Sequence, residues 1–169
     1  MKKISTKQLV IMALMIAMDV VLTRIFSIQT PVIRISFGFL PIAIVAMMYG
    51  PISGAIVGAL GDIIGASLFA TGAYFPGFTL TGLLVGAVYG LFLYKRMEKM
   101  PNIIASVLIV TIILQLGLDT LWVHMITGTP YVALLPWRAV RTAAMIPVQI
   151  ILIKYVARSL INLKIWRPE

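Results

Sequence analysis

Long apolar runs, separated by glycine, proline and short groups of basic residues, constrain this chain more than any other feature. Of its 169 residues, 61% are hydrophobic and only 11% are charged, and the mean hydropathy is +1.06. Soluble globular domains carry about 25% charged residues. The composition therefore predicts an integral membrane protein, and runs of about 20 apolar residues predict helices that cross the bilayer.

The apolar runs predict an all-α membrane protein, with six transmembrane helices forming one compact bundle in a single domain over residues 1–169. The predicted helices lie near 8–27, 35–49, 51–69, 78–95, 102–126 and 137–158. The second is short, at about 22 Å, and is expected barely to cross. The N-terminal stretch MKKISTKQLVIMALMIAM resembles a signal peptide, but no small-x-small cleavage site follows it and the apolar character resumes past Asp19.

The distribution of Lys and Arg predicts that both termini are cytoplasmic. With the N-terminus inside, ten basic residues lie at inner positions: Lys2, Lys3, Lys7, Lys95, Arg96, Lys99, Lys154, Arg158, Lys164 and Arg167. Four lie at or near the outer face: Arg24, Arg34, Arg138 and Arg141. This bias favours an N-in, C-in orientation. The basic residues punctuate apolar runs and do not form an amphipathic face, so nucleic acid is not an expected partner.

A few polar and ionisable residues fall inside the predicted spans, where each costs about 2.5–3.5 kcal/mol to insert and normally faces the bundle interior or a wet cavity. The ionisable ones are Asp19, Asp62, Asp119, Arg141 and, near a helix end, His124. Helical spacing puts Arg138, Arg141, Thr142, Met145 and Gln149 on one face of the sixth span, and Gln115, Asp119 and Trp122 on one face of the fifth. We expect these two polar stripes to face each other in the outer half of the bundle.

Two interpretations of these residues are open. In the first they form a binding pocket, where arginines hold ligand carboxylates, Asp119 accepts N–H groups from a heterocycle and aromatic rings stack on it. In the second, Asp119 or Asp62 pairs with Arg141 or Arg24 only to neutralise buried charge, and the aromatic residues form an interfacial belt. The candidate ligand-binding residues are Arg24, Arg34, Phe37, Tyr74, Phe75, Thr79, Asp119, Trp137, Arg138 and Arg141. The segments 27–34, 70–79 and 127–137 are expected to close over a bound ligand.

Small residues recur at a spacing of four, which lets helix backbones approach closely in lipid. The glycines of this pattern are Gly50, Gly54 and Gly58, then Gly61 and Gly65, then Gly82, Gly86 and Gly90. They predict packing within the bundle. Ala13 and Ala17, at the same spacing on the first span, are candidates for contact with another membrane protein.

Motifs for catalysis are missing from the sequence. It has no GxxxxGK[ST], HExxH or GxSxG motif, no cysteine and a single histidine. We therefore expect neither a metal nor a cofactor in this chain, and a small intramembrane enzyme is the weaker alternative to a binding protein. A scaffold without a ligand is a further alternative.

Two stretches carry a resemblance to a known family: TRIFSIQTPVIRISFGFLPIAIVAMMYGPISGAIVGALGDIIGA and YFPGFTLTGLLVGAVYGLFLY. They resemble the substrate-binding S components of energy-coupling factor (ECF) vitamin transporters, specifically the folate-binding members. Ala13 and Ala17 match the family's AxxxA motif. The resemblance implies a six-helix subunit of the cell membrane that captures folate outside. It also implies three partners, a transmembrane coupling subunit and two cytoplasmic ATPases, which are the subunits that use ATP.

The charge pattern and the resemblance agree on an anionic ligand. Folate is a glutamate conjugate, whose carboxylates suit arginine, and the aminopyrimidine edge of its pterin ring suits a carboxylate such as Asp119. Riboflavin and thiamin have no carboxylate and would leave the outer arginines unexplained. Biotin and pantothenate are anionic, so S components for these vitamins are alternatives, as is, less favourably, one for riboflavin.

Overall fold

A computed structural model describes residues 5–29, 34–69, 74–97 and 99–162 of the chain, and for residues 28, 29, 34 and 35 only the backbone. Nearly all of this part is helical. The helices are α1 (Thr6–Ile25), α2 (Phe39–Tyr49), α3 (Pro51–Leu68), α4 (Pro76–Leu93), α5 (Met100–Thr127) and α6 (Tyr131–Asn162). Between α1 and α2, strand β1 (Ile28–Gln29) pairs with strand β2 (Arg34–Ile35) in antiparallel register.

Within the described residues, five helices are long and apolar enough to cross a membrane. The exception is α2, whose 11 residues extend about 16 Å against a hydrocarbon core of about 30 Å. An all-helical membrane fold is therefore confirmed. The number of crossings and their orientation stay predictions.

The last helix begins earlier than its predicted start near residue 137. α6 starts at Tyr131 and runs through Pro136, so residues 128–130 alone connect α5 to α6, and the predicted 127–137 loop was wrong in extent. The predicted start near residue 137 follows from treating Pro136 as the boundary between a loop and the helix. Pro136 is the sixth residue of α6, past the first turn where a missing N–H costs nothing, so one carbonyl of the preceding turn loses its backbone partner. Transmembrane helices accommodate such a proline more readily than soluble ones.

Two of the helices contain π-helical turns, which change the direction of the side chains that follow. Val21–Ile25 forms the last turn of α1, and Ile109–Leu118 forms the middle of α5. The first contains Thr23 and Arg24, and the second ends immediately before Asp119. Short π-helical segments are frequent at functional sites. Here the first contains the candidate residue Arg24, and the second is followed by the candidate residue Asp119.

The helices α3 and α4 pack backbone against backbone. A methyl group added to Gly54 would lie 2.7 Å from the carbonyl oxygen of Gly86, and one added to Gly82 would lie 2.7 Å from the carbonyl oxygen of Gly58. Real side-chain atoms do not approach that closely, so only glycine allows the helices to sit at this distance. The prediction that these glycines serve packing inside the bundle is confirmed.

The buried face of α6 completes the core. It consists of Leu134, Arg138, Thr142, Met145, Gln149, Ile153, Ala157 and Leu160. This face includes four of the five residues of the predicted polar stripe, and Arg141 lies at its half-buried edge. In the centre of the bundle the hydroxyl of Tyr89 on α4 donates to Oε1 of Gln149 at 3.0 Å, which satisfies both polar groups away from water.

Candidate ligand-binding cavity

A cavity of about 160 Å³, lined by both polar and apolar side chains, lies among α1 to α5. Its lining residues come from the ends of α1, α3 and α5 and the beginnings of α2 and α4, so we refer to this end of the bundle as the upper end. The charged residues that line the cavity are Asp19, Arg24, Asp62 and Asp119. Thr23, Ser36, Thr81 and Gln115 add uncharged polar groups, and Phe39, Ile42, Phe78 and Val85 add apolar surface.

A continuous chain of polar side chains begins at the cavity wall with Arg24 and Asp62 and leads away from it through Thr79 to Tyr74. Nη2 of Arg24 lies 3.5 Å from Oδ1 of Asp62. The hydroxyl of Thr79 donates to Oδ2 of the same carboxylate at 2.7 Å, and the Tyr74 hydroxyl lies 3.0 Å from that of Thr79. Because Thr79 gives its proton to Asp62, Tyr74 is the donor in the last bond. This chain joins α1, α3 and the start of α4 to Tyr74, two residues before α4 begins.

Asp119 lies where α5 leaves its π-helical segment, and it lines the cavity. Its carboxylate is attracted by the charges of Arg138 and Arg141 on α6 and repelled by that of Asp62. Arg138 is 6% exposed and Arg141 is half-buried. Asp119 of the predicted α5 stripe therefore lies within range of the α6 arginines, whereas Trp122 of the same stripe contacts Phe75 and Thr81 instead. Neither arginine lines the cavity; both act on Asp119 through their charge.

Aromatic rings cluster at the upper end of α4 and α5. The Phe75 ring centroid is 5.6 Å from that of Trp122 and 6.3 Å from that of Phe78, and the Trp122 indole N–H donates to the Thr81 hydroxyl at 3.1 Å. Phe78 and Thr81 both line the cavity. Phe78 is therefore the ring of this cluster that shares the cavity lining with Asp119.

The other candidate residues lie farther from the cavity. Trp137 is 68% exposed and Tyr74 is 52% exposed. Phe37 is 39% exposed and its ring centroid is 6.5 Å from that of Phe39, which lines the cavity. The side chain of Arg34, and residues 30–33 and 70–73 of the predicted closing segments, lie outside the described part of the chain.

Sequence reasoning left Asp19, Asp62 and Phe78 out of the candidate set, although all three line the cavity. The signal for the two aspartates was present, since a carboxylate inside an apolar span normally faces a polar interior. Phe78 had no such signal, because an aromatic residue at a helix start is equally typical of the membrane interface.

The sequence matches a family of known proteins over most of its length. Residues 3–162 match the family described as the ECF-type riboflavin transporter, S component. The chain belongs to this S-component family of ECF-type transporters. The match confirms the resemblance seen in the sequence, and since the family consists of transporter subunits, the intramembrane enzyme is excluded.

Individual relatives carry a more specific name. The chain is 41% identical over 153 residues to the folate transporter FolT of Clostridium novyi (strain NT), covering 90% of this chain and 88% of that protein. It is 30% identical over 155 residues to the folate transporter FolT of Leuconostoc mesenteroides, covering 88% and 83%. Among solved structures it resembles that of FolT bound with folic acid, with a TM-score of 0.88, 34% identity and coverage of 92% and 95%.

The Thr79 hydroxyl is expected to stabilise the folded protein through Asp62. Thr79→Val removes the donor to a half-buried carboxylate and should lower the free energy of unfolding by about 1–2 kcal/mol. Tyr74→Phe removes only the outer bond of the chain, at a side chain that water reaches, and should cost less. Thermal unfolding of the purified protein in detergent checks this order, and equal unfolding midpoints for Thr79→Val and the unaltered protein would contradict it.

Proposed function

We propose that this chain is the folate-binding S component of an ECF-type transporter. The observation that carries the proposal is the cavity at the upper end of the bundle, with Asp119 on its wall and the charges of Arg138 and Arg141 acting on that carboxylate. The proposal is supported by the folate transporters to which the chain is 41% and 30% identical and by its likeness to FolT bound with folic acid.

In this proposal the pterin ring of folate enters the cavity. The volume of about 160 Å³ is less than the roughly 300–1,000 Å³ of pockets that enclose a whole drug-sized ligand, so it suits one end of the molecule. Asp119 accepts the N–H groups of the aminopyrimidine edge, while Phe78 and the neighbouring Phe75 offer ring contacts. The nearly buried Arg138 stabilises the ionised Asp119 through charge.

The glutamate part of folate then points out of the cavity at the upper end. We assign its carboxylates to Arg141, at the half-buried edge of α6, and to Arg34, with Arg24 contributing through the chain that ends at Tyr74. Phe37, Thr79 and Trp137 complete the proposed set around the entrance. The connections 27–34 and 70–79, together with the short turn at 128–130 and the first turn of α6, close over the ligand and slow its release.

We further propose that α1 to α6 give six spans in the cell membrane, with both termini cytoplasmic and the upper end outside. The support is the charge distribution, since the described basic residues of the opposite end, Lys7, Lys95, Arg96, Lys99, Lys154 and Arg158, lie where cytoplasmic residues are expected. A transmembrane coupling subunit and two cytoplasmic ATPases are the proposed partners. ATP is used by those ATPases, and this chain itself needs no cofactor.

A binding titration tests the proposed substrate. Trp122 packs against Phe75 next to the cavity, so its fluorescence should be quenched as folic acid is added to the purified protein in detergent. Riboflavin is the second candidate, because the matching family is described as a riboflavin transporter component; biotin and pantothenate complete the comparison. Saturable binding of folic acid alone is the expected result. Binding of another vitamin without folic acid would retain the transporter class and overturn the substrate.

The arginines of α6 are expected to contribute strongly to folate affinity. Arg141→Ala and Arg138→Ala should each weaken folic acid binding at least about tenfold, as expected when a charge-assisted interaction worth roughly 1.5–3 kcal/mol is lost. Arg158→Ala is the matched control, since Arg158 is exposed at the far end of the same helix. Unchanged affinity in the first two variants would assign these arginines to charge neutralisation within the bundle alone.

The exposed small residues of α1 are expected to serve transport and not binding. Ala13 and Ala17 are both exposed, so Ala13→Trp should leave folic acid affinity unchanged while reducing folate uptake by cells that carry the coupling subunit and ATPases. Ile151→Trp, at a position of α6 that is 65% exposed, controls for a bulky residue on a lipid-facing surface. An Ala13→Trp protein that neither folds nor binds would contradict this division of roles.

A further inference from the structure

The four glycines that follow the start of α3 face two different kinds of neighbour. Gly54 and Gly58 face the backbone of α4, where an added methyl group would meet the carbonyl oxygens of Gly86 and Gly82. Gly61 and Gly65, one and two turns farther along, face charged side chains of α1. The sequence pattern is the same for both pairs, and the structure separates them.

Gly61 lies directly under the carboxylate of Asp19. A methyl group at Gly61 would overlap sterically with Oδ2 of Asp19. Gly38, at the start of α2, leaves room for the other oxygen of the same carboxylate. Asp19 is 4% exposed and lines the cavity, so its position inside the bundle depends on two missing side chains.

Gly65 lies under the side chain of Arg24. A methyl group there would be 2.8 Å from Nε of Arg24 and 3.5 Å from its Cγ and Cζ. The Arg24 side chain is 8% exposed and its Nη2 lies 3.5 Å from Oδ1 of Asp62. A side chain at Gly65 would therefore push the guanidinium away from its place between α3 and the cavity.

The two kinds of overlap have different physical consequences. A methyl group that meets a backbone carbonyl forces two helices apart, and overpacking of that kind destabilises the fold. A methyl group that meets the end of a flexible side chain is accommodated by a change of rotamer. The side chain that must move is Asp19 for Gly61 and Arg24 for Gly65, and both line the cavity. A substitution at either glycine therefore rearranges the charged groups of the cavity and leaves the packing of α3 against α4 in place.

We propose that Gly61 and Gly65 are positioning residues for ligand binding, which set the places of the Asp19 carboxylate and the Arg24 guanidinium in the cavity. This inference rests on the proposed function, because it takes the cavity to be the folate site. It extends that function to two residues without side chains, which influence the ligand through the charged groups of another helix.

Alanine substitutions along α3 test the proposal through folic acid affinity and the thermal unfolding midpoint. Gly61→Ala and Gly65→Ala should each weaken folic acid binding at least about tenfold, with a smaller fall in the unfolding midpoint than Gly58→Ala causes. Gly117→Ala is the matched control: the nearest atom to a methyl group there is the carbonyl oxygen of Ile112, at the ordinary distance of 3.6 Å. Its affinity should equal that of the unaltered protein.

A double variant shows whether Gly61 acts through Asp19. In an Asp19→Ala background the overlapping carboxylate is absent, so adding Gly61→Ala should change affinity less than about twofold and leave the unfolding midpoint in place. If Asp19→Ala binds folic acid too weakly to titrate, the unfolding midpoints of Asp19→Ala and of the double variant are compared instead. The double variant should fold even if Gly61→Ala alone does not. An equal loss in both backgrounds would assign Gly61 to helix packing and overturn the inference.

Failure of the inference and failure of the proposed function give different results. If the unaltered protein binds folic acid and Gly61→Ala and Gly65→Ala bind it equally well, the inference fails and the function stands. If the unaltered protein does not bind folic acid, the proposed function fails and the inference fails with it.

Discussion

The close backbone contact between α3 and α4 determines the arrangement of the upper end of this protein. Lipid tails are as apolar as the helix surfaces, so association of helices in a membrane depends on close packing and on a few polar contacts. Gly54 and Gly58 against Gly86 and Gly82 supply that packing. The start of α4 is then held beside Asp62, and the hydroxyl of Thr79 can reach the carboxylate.

The charges of the cavity are arranged so that acids lie near cations. Asp62 is held by Arg24 and Thr79, and Asp119 is attracted by Arg138 and Arg141. Removing charge from water without a counter-charge costs several kcal/mol per ion, on the order of the whole stability of a small domain. In the proposed function, a ligand N–H group replaces an arginine or hydroxyl as the partner of an aspartate, and a ligand carboxylate replaces an aspartate as the partner of an arginine.

Much of the fold could be predicted from the sequence, and the reasons are local. Helical spacing identified the polar stripe of α6, because Arg138, Thr142 and Gln149 share one face whatever the rest of the bundle does. The beginning of α6 could not be predicted, since the pattern does not show whether Pro136 ends a helix or lies within its first turns. The pairing of Arg24 with Asp62, between α1 and α3, is one of the pairings that the charge-neutralisation interpretation offered, but spacing along one helix could not decide which acid meets which arginine across the bundle.

The composition of the cavity also bears on which vitamin an S component of this fold selects. The fold is shared by a family described for riboflavin and by transporters named for folate, so the helices alone do not decide the ligand. In the proposed function, the charged groups around the cavity make that choice. A pterin glutamate offers N–H donors to Asp119 and carboxylates to Arg141, whereas a vitamin without a carboxylate makes no charge-assisted contact with Arg141. Specificity of this kind is the difference between the binding free energies of the two ligands.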